Sequence, residues 1–180
     1  CISRRIRRLS PEQNIGLLLP TSTGGVLCNM ATLLAGKTIV NLNYTANAAA
    51  LTTAIEQAEI RTIYTSRRFI ERLEKKNADV ITVLQGKHLI YLEDLRSDIH
   101  FNESFWRWLA IRVLPTRILK RVCNHTHDSQ QTAAILFSSG SEGLPKGVML
   151  SHQNIMANLK QISDVVNTQE QDVLMSCLPL

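Results

Sequence analysis

Short apolar runs alternate with segments of helical period along most of this chain. The runs bounded by turn residues are Asn14–Leu19, Thr38–Asn43, Ile60–Thr65, His88–Glu93 and Thr132–Ser138, and a further strand is predicted over Asp172–Pro179. Runs of this length are typical of strands that are buried on both faces of a sheet. Strands joined by helices form right-handed βαβ units, so the sequence predicts an α/β fold with a mainly parallel sheet flanked by helices.

Capping residues and apolar periodicity predict where the helices lie. The predicted caps are Thr21 or Ser22, Ser66 and Ser151, and an alanine-rich helix is predicted after the turn at Asn43–Asn47. The apolar positions at helical spacing are Val26, Met30, Leu33 and Leu34 in the first helix, Leu51, Ile55 and Ala58 in the second, Phe69, Ile70 and Leu73 in the third, and Ile155, Leu159, Ile162 and Val166 in the last. Residues 75–86 have the weakest pattern, and we expect a surface connection there.

The composition is that of one soluble globular domain. The chain has 180 residues, of which 44% are hydrophobic and 19% are charged, and no apolar window approaches the roughly 18 residues of a membrane-spanning helix. Two of the four cysteines, Cys28 and Cys177, lie in apolar runs. We therefore expect buried free thiols and a reducing compartment. The chain starts at Cys1 without an initiator Met, so we expect it to be part of a longer protein.

The positive charge is concentrated in two clusters. The net charge is +5, from 20 basic and 15 acidic residues. The basic clusters are Arg4, Arg5, Arg7 and Arg8 near the start, and Arg107, Arg112, Arg117, Lys120 and Arg121 between residues 104 and 123. Such clusters serve nucleic acids, anionic lipids or solubility. No zinc-finger, RNP-like or helix-turn-helix pattern accompanies them, so we expect no nucleic acid partner.

Residues 104–123 allow two interpretations. Phe105, Trp106 and Trp108 stand beside cations with no acidic residue in the segment, which is the composition of a helix on an anionic membrane surface. The alternative is a helical excursion that packs on its own domain, with tryptophan in the core and arginine in solvent. Pro115 interrupts any single long helix here. We favour the packed excursion.

A glycine- and serine-rich loop follows the strand that ends near Phe137. Its glycines allow close approach of backbone N–H groups to a ligand, its serines add hydroxyl donors, and Lys146 adds a mobile positive charge. The members of this set are Ser138, Ser139, Gly140, Ser141, Gly143, Lys146 and Gly147. Parallel sheets bind ligands outside the carboxyl ends of their strands. The pattern therefore predicts a site for a polyphosphate at this edge of the sheet.

Other motifs carry weaker signals. Residues 31–38 resemble a Walker A sequence, but position 31 is Ala and the intervening residues continue an apolar helix that we expect to end at Gly36. Cys123, His125, His127 and Asp128 lie close in sequence without a metal-site spacing, so no metal site is predicted there. The pair Ser151-His152 lacks the G-x-S-x-G context of a hydrolase nucleophile.

The loop and its flanks carry a family resemblance. Residues 137–148, FSSGSEGLPKGV, resemble the signature phosphate loop of the adenylate-forming enzymes, a family that includes acyl-CoA synthetases, luciferases and nonribosomal adenylation domains. Further matches are Ser151-His152 and Asn154, Asn14–Pro20 with Leu34–Gly36, and Ser176–Leu180. The sequence departs from the pattern at Glu142, where the family usually has a small hydroxyl residue. A carboxylate beside a triphosphate is repulsive unless it faces Mg²⁺ or a basic group.

Four blocks are similar to a narrower group, the synthetase part of the bacterial bifunctional 2-acylglycerophosphoethanolamine acyltransferase/acyl-[acyl-carrier-protein] synthetases. The blocks are Asn41–Ala46, Ala58–Ile63, Tyr91–Leu95 and Gly140–Gly143. This resemblance implies ATP-dependent activation of a fatty acid to an acyl-adenylate and transfer of the acyl group to the thiol of acyl carrier protein. It also implies use of the product in lysophospholipid reacylation at the cytoplasmic face of the bacterial inner membrane.

The resemblance also implies residue roles. Ser138, Ser139, Gly140, Ser141, Glu142, Gly143, Lys146 and Gly147 would form the ATP-binding loop, and Lys146 would be the catalytic residue that supplies charge to the departing pyrophosphate. His152 and Asn154 would support the start of the following helix. The family's Mg²⁺ ligands and other catalytic groups would lie beyond Leu180, so residues 1–180 alone are expected to be inactive.

Two alternatives to this function stay open at the level of sequence. One is an acyl-CoA synthetase, and the other is a non-catalytic lipid-surface or regulatory module, which Glu142 keeps in consideration. Residues 1–11 are interpreted as a basic linker from an upstream part, and residues 12–180 as a partial adenylation domain that is truncated at its C-terminal end.

Overall fold

The computed structural model describes residues 1–76, 78–99, 101–115, 118, 128–138, 145–166, 169 and 171–173. Its strands are β1 (Asn14–Leu17), β2 (Thr38–Asn41), β3 (Thr62–Thr65), β4 (His88–Tyr91), β5 (Thr132–Ser138) and β6 (Lys146–Ser151). Its helices are α1 (Ile2–Leu9), α2 (Thr23–Leu34), α3 (Ala48–Gln57), α4 (Arg67–Lys76), α5 (Ala78–Val83), α6 (Leu92–Ser97), α7 (Phe101–Val113) and α8 (His152–Val166). No helix within these ranges is long and apolar enough to cross a lipid bilayer.

The described strands form a single twisted layer in the order β4-β3-β1-β2-β5-β6. All neighbouring pairs are parallel except β5 and β6, which are antiparallel. The predicted α/β fold with a mainly parallel sheet is therefore confirmed. The antiparallel strand β6 was not predicted, and the strand predicted over Asp172–Pro179 falls almost entirely outside the described residues.

Two apolar cores cover the two faces of the sheet. One core joins α3, α4 and α5 to the sheet through fully buried side chains such as Leu18, Val40 and Ile63. The other joins α1, α2 and α6 to the opposite face through residues such as Ile15 and Tyr64. Strands β1 and β3 are buried along almost their whole length, which explains why they read as continuous apolar runs.

Helix α2 packs on the sheet with its small residues. Its buried positions are Gly25, Cys28, Ala31 and Thr32, whereas the apolar positions that the sequence pattern singled out, Val26, Met30 and Leu34, are about half exposed. Small side chains let the helix approach the sheet closely, and the larger ones then point outward. Burial raises the pKa of the Cys28 thiol to about 12, which is the behaviour of a structural thiol.

The ends of α2 agree with the sequence prediction. Ser22 is the N-cap, and its Oγ accepts a hydrogen bond from the Gly25 backbone N–H at 3.2 Å. Gly36 has a φ of 77° just after the helix, a conformation that glycine adopts without strain. The Walker-like stretch at residues 31–38 is therefore a helix terminus followed by β2.

Two segments differ from their sequence interpretation. Residues 2–9, expected to be part of a linker, form α1, which buries Ile6 completely against the domain. Whether residues 1–11 also join an upstream part stays a prediction. The connection expected over residues 75–86 contains α5, which buries Val80 and is followed by the buried Leu84.

Candidate functional site

The antiparallel hairpin β5–β6 fixes both ends of the glycine- and serine-rich loop. Ser138 and Lys146 are paired directly across the two strands, and Ser138 Oγ donates a hydrogen bond to the Lys146 carbonyl oxygen at 3.4 Å. Strand β5 is parallel to β2, so its carboxyl end lies at the same edge of the sheet as the carboxyl ends of the other parallel strands. The loop therefore starts at the edge where α/β sheets bind ligands.

The residues inside the loop fall outside the described part of the chain. These are Ser139, Gly140, Ser141, Glu142 and Gly143, and their predicted phosphate contacts stay predictions. Lys146 is exposed at the first position of β6. Its ammonium group is a flexible point charge with three hydrogen-bond donors, so it is able to reach an anion beside the loop.

Gly147 has a packing role that the sequence did not indicate. A Cβ atom at this position would lie 3.1 Å from Cε1 and 3.3 Å from Cζ of Phe137, directly across the hairpin. The Phe137 ring thus occupies the space that a side chain would need. This contact explains the glycine without a phosphate, and the predicted role of Gly147 in binding ATP is not tested.

A cavity of about 220 Å³ lies beside the described ends of the loop. Its lining residues are Asn41, Asn43, Ala46, Asn47, Ala50, Leu51, Ala54, Phe137, Ser138 and Pro145. Asn43 and Asn47 were not among the site residues predicted from the sequence. Their position just after β2 was the available signal, because the carboxyl ends of neighbouring parallel strands meet at one edge.

The asparagine side chains on this wall make local hydrogen bonds. Asn43 Oδ1 accepts from the backbone N–H of Thr45 at 2.9 Å and from its hydroxyl at 2.6 Å. Asn47 Oδ1 accepts from the Ala50 N–H at 2.8 Å and caps α3. On the other side of β2, Asn41 Nδ2 donates to Asn29 Oδ1 at 3.1 Å. The amides of Asn43 and Asn47 shape the turn between β2 and α3, whereas that of Asn41 joins β2 to α2, and all three residues line the cavity.

The hydrogen-bond donors around the cavity suit an anionic ligand. The described lining of the cavity contains amides and a hydroxyl but no carboxylate, and Lys146 adds a positive charge at the end of the loop. A phosphate chain needs hydrogen-bond donors and positive charge. The described residues are therefore compatible with the polyphosphate of ATP at this edge.

The helix that follows the hairpin begins as the sequence predicted. Ser151 Oγ accepts from the Asn154 backbone N–H at 3.2 Å, and Asn154 Oδ1 accepts from the Ser151 backbone N–H at 3.0 Å. This reciprocal arrangement is a capping box. The backbone N–H of His152 donates to the Gln131 carbonyl oxygen at 3.2 Å. Asn154 thus supports the helix start, as expected.

Comparison with protein families decides the membership of this chain. The model of the AMP-binding enzyme family matches residues 2–180. The chain belongs to the AMP-binding enzyme family. The resemblance to adenylate-forming enzymes is thereby confirmed at the family level, and the narrower resemblance to bifunctional acyltransferase/synthetases stays a prediction.

Two curated relatives align through short, similar segments. A chloroplastic long-chain-fatty-acid–[acyl-carrier-protein] ligase of Arabidopsis thaliana is 46% identical over 56 residues, which are 31% of this chain and 8% of that protein. The medium-chain fatty-acid–CoA ligase of Escherichia coli (strain K12) is 49% identical over 55 residues, which are 31% of this chain and 10% of that protein. The chain therefore covers a small part of each.

A solved structure supports the fold over nearly the whole chain. The O-succinylbenzoate coenzyme A synthetase of Bacillus subtilis, in complex with ATP and magnesium ion, superimposes with a TM-score of 0.70 at 18% identity. The match covers 99% of this chain and 32% of that structure. At this identity the likeness establishes the shared fold, and the chain spans about a third of that enzyme.

In this AMP-binding enzyme, helix α7 does not match the interpretation of residues 104–123 that we favoured, which was a helix packed on its own domain with tryptophan in the core. The side chain of Trp106 is 66% exposed and that of Trp108 is 55% exposed, so neither ring lies in a core of the described chain. The guanidinium carbon of Arg112 lies 5.7 Å from the centre of the Trp108 ring. The expectation that the tryptophans of this segment pack inside the domain is therefore wrong for the described structure.

The sequence predicted no metal site at Cys123, His125, His127 and Asp128. Residues 123–127 are not among those that the structure describes, so this prediction is not tested. Within the part of the chain that the structure describes, no three His, Cys, Asp or Glu side chains are grouped as metal ligands.

Residues Tyr91–Leu95, one of the four blocks of the narrower sequence resemblance, stabilise the start of helix α4. Glu93 Oε1 accepts from the Ser66 hydroxyl at 2.8 Å and from the Arg67 backbone N–H at 3.1 Å, so Glu93 caps the start of α4. Arg67 also forms an ion pair with Asp94 at 2.6 Å and lies over the Tyr91 ring. Partial burial acts to raise the pKa of Glu93, but its hydrogen bonds outweigh burial and lower the pKa below its usual value.

Proposed function

We propose that the full-length protein activates a fatty acid with ATP to form an acyl-adenylate. The observation that carries this proposal is the placement of Ser138 and Lys146, the two ends of the signature loop, at the carboxyl edge of the sheet beside a cavity whose described lining contains no carboxylate. Membership of the AMP-binding family supports it, and so do the names of two relatives, both ligases of fatty acids.

In the proposed reaction, the carboxylate oxygen of the fatty acid attacks the α-phosphorus of ATP. The bond between the α-phosphorus and the bridging oxygen breaks, and pyrophosphate leaves with the electron pair. Residues 138–143 and Lys146 hold the β- and γ-phosphates, so the negative charge that develops on the leaving group meets preorganised donors. Mg²⁺ neutralises part of this charge when bound, and we assign no described residue as its ligand.

The acyl group then passes to a thiol, for which we propose the thiol of acyl carrier protein. The Arabidopsis relative, whose name specifies this acceptor, supports the choice. Coenzyme A is the second candidate, because the Escherichia coli relative is a CoA ligase with similar identity over a similar length. In both cases the thiol attacks the acyl carbonyl carbon and AMP leaves.

The biological setting follows from the narrower sequence resemblance. We propose that the acylated carrier serves lysophospholipid reacylation at the cytoplasmic face of the inner membrane of a bacterium. The basis is the set of four sequence blocks at residues 41–46, 58–63, 91–95 and 140–143. We also propose that residues 1–180 alone are inactive, because the comparable ATP-bound enzyme is about three times as long.

The test supplies the full-length protein with ATP, Mg²⁺ and a fatty acid, and offers acyl carrier protein or coenzyme A as acceptor. We expect AMP formation that depends on the fatty acid, and acylation of the carrier protein well above that of coenzyme A at equal concentration. Preferential acylation of coenzyme A would move the assignment to an acyl-CoA synthetase. No fatty-acid-dependent AMP with either acceptor, in a protein shown to be folded, would contradict the proposal.

A further inference from the structure

An ion pair links α1, the helix that carries the first basic cluster, to the segment just before α7. Helix α1 is attached to the segment before α7 by Arg5, whose guanidinium forms an ion pair with the Asp98 carboxylate at 3.2 Å and also donates to the Asp98 carbonyl oxygen. Asp98 lies just ahead of α7, which begins at Phe101. The ion pair therefore brings α1 next to the segment that leads into α7.

The outward side of this arrangement is both basic and aromatic. We define the α1–α7 surface by the exposed residues Arg4 and Arg8 of α1 and Trp108 and Arg112 of α7. Trp108 and Arg112 are four positions apart and lie on the same side of α7, with the guanidinium of Arg112 over the Trp108 ring. Helix α1 contains no acidic residue, and the only acidic residue of α7 is Glu103. The chain from residue 104 to residue 123 contains no acidic residue at all.

We propose that the α1–α7 surface docks on the headgroup region of an anionic phospholipid bilayer. The charge of the surface is complementary to such a membrane, which attracts each basic residue near it by about 1 kcal/mol. Tryptophan is enriched at membrane interfaces, because its ring is apolar and its indole N–H bonds to water and headgroups. An acidic protein is the other partner that fits this charge, and a protein that binds only such a partner would not bind anionic vesicles.

Docking of this kind is peripheral. No described helix is long and apolar enough to span a bilayer, so the proposed contact is made by exposed side chains of α1 and α7 at the membrane surface. Membrane docking would bring the edge of the domain near a source of lipid substrates. The inference stands apart from the adenylation chemistry, because it requires neither ATP nor a fatty acid.

The test measures binding of the full-length protein to vesicles of phosphatidylglycerol and phosphatidylcholine by sedimentation. The charge variant replaces Arg4, Arg8 and Arg112 with Gln. The matched control replaces Arg68, Arg72 and Lys75 of α4 with Gln, since these are equally exposed cations on the opposite face of the sheet. Both variants lose the same net charge, so only the position of the charges differs.

We expect binding to the anionic vesicles that weakens on the order of 100-fold in the charge variant, from about 1 kcal/mol per cation, and changes little in the control. Binding should also weaken as salt is raised. Equal losses in the two variants would show a nonspecific effect of net charge and would overturn the proposal. So would binding that the charge variant leaves unchanged, or equal binding to both lipids.

A second, local readout uses tryptophan emission in vesicles whose acyl chains carry bromine, which quenches fluorescence. Trp106 and Trp108 are the two tryptophans of residues 1–180 and lie on different sides of α7, so the full-length protein is prepared as two single variants, Trp106→Phe and Trp108→Phe. If the α1–α7 surface lies on the bilayer, quenching is larger in Trp106→Phe, which keeps Trp108, than in Trp108→Phe. Identical quenching in the two variants would mean that this side of α7 does not reach the membrane, and the proposal would be wrong.

Discussion

The two halves of the described sheet differ in how completely their surfaces are covered. Strands β1 to β4 lie between two cores, and β1 and β3 have almost no exposed residue. Strand β6 has no buried residue, and within its described range α8 has none either, so apolar side chains such as Val148, Met149 and Leu159 are exposed. We call the first half the scaffold, because a core covers each face of its sheet, whereas the second half displays the loop.

This contrast shows how the site is supported. The hairpin is attached to the scaffold through the pairing of β5 with β2 and through Ile135, which is buried in the core around α3. The loop between β5 and β6 therefore starts from a rigid strand at one end and from an exposed strand at the other. The Bacillus subtilis enzyme of the same fold is about three times as long as this chain, and we expect the exposed side of the hairpin to contact further chain in a protein of that length.

The largest effect is expected from truncating the scaffold core. Ile63 is fully buried, so Ile63→Ala should lower the free energy of unfolding by about 2–5 kcal/mol. Ile162 of α8 is 49% exposed, so Ile162→Ala should cost less than about 1 kcal/mol. Chemical denaturation of the full-length protein measures both changes. Equal losses would mean that α8 is as buried as the scaffold, and the contrast between the halves would then disappear.

The second-largest effect on stability is expected when a glycine of the core is replaced with alanine, and the matched substitution is that of a glycine in the hairpin. A Cβ at Gly16 of β1 would lie 2.9 Å from Ile60 Cγ2 inside the core, so Gly16→Ala should destabilise the fold by about 1–3 kcal/mol through overpacking. The Cβ of Gly147→Ala would meet the Phe137 ring at 3.1 Å on the more exposed hairpin. There the ring has room to shift, and we expect less than about 1 kcal/mol. Thermal unfolding of both variants checks the order, and the reverse order would contradict it.

The smallest effect concerns the pH dependence of the scaffold. The folded-state pKa of Glu93 lies below its ordinary value of 4.5, so its charged form stabilises the fold above that pH, and the contribution is lost as the pH falls through the folded-state pKa. Glu93→Gln removes this titration. The gap in unfolding free energy between wild type and variant should be present at neutral pH and should close in acid. A difference in unfolding free energy that grows as the pH falls would contradict this prediction.

The scaffold was largely predictable from the sequence because its signals are local. Buried strands read as apolar runs, and the caps at Ser22 and Ser151 are side chains that bond to the backbone three residues away. Helix α5 escaped prediction because six residues are too few to show a helical period. Strand β6 escaped because its residues form a strand only by pairing with β5, and the preceding glycines and proline indicate a loop.

Which face of a helix is buried was harder to predict than where the helices and strands lie. The large apolar residues of α2 and the tryptophans of α7 look like core residues in the sequence, but small residues mediate the packing of α2, and α7 has its rings in solvent. At the site, the sequence identified the loop through its residue types. It did not identify the wall formed by Asn43 and Asn47, because their proximity to Ser138 follows from the order of the strands.

The most direct test of the loop is ATP–pyrophosphate exchange by the full-length protein in the presence of a fatty acid. Lys146→Ala is compared with Lys160→Ala, which removes an equally exposed lysine from α8. We predict that exchange requires the fatty acid, that it falls by about 100- to 1,000-fold in Lys146→Ala as for other lost transition-state donors, and that it is nearly unchanged in Lys160→Ala. Full exchange in folded Lys146→Ala would contradict the assignment of this loop to the phosphates.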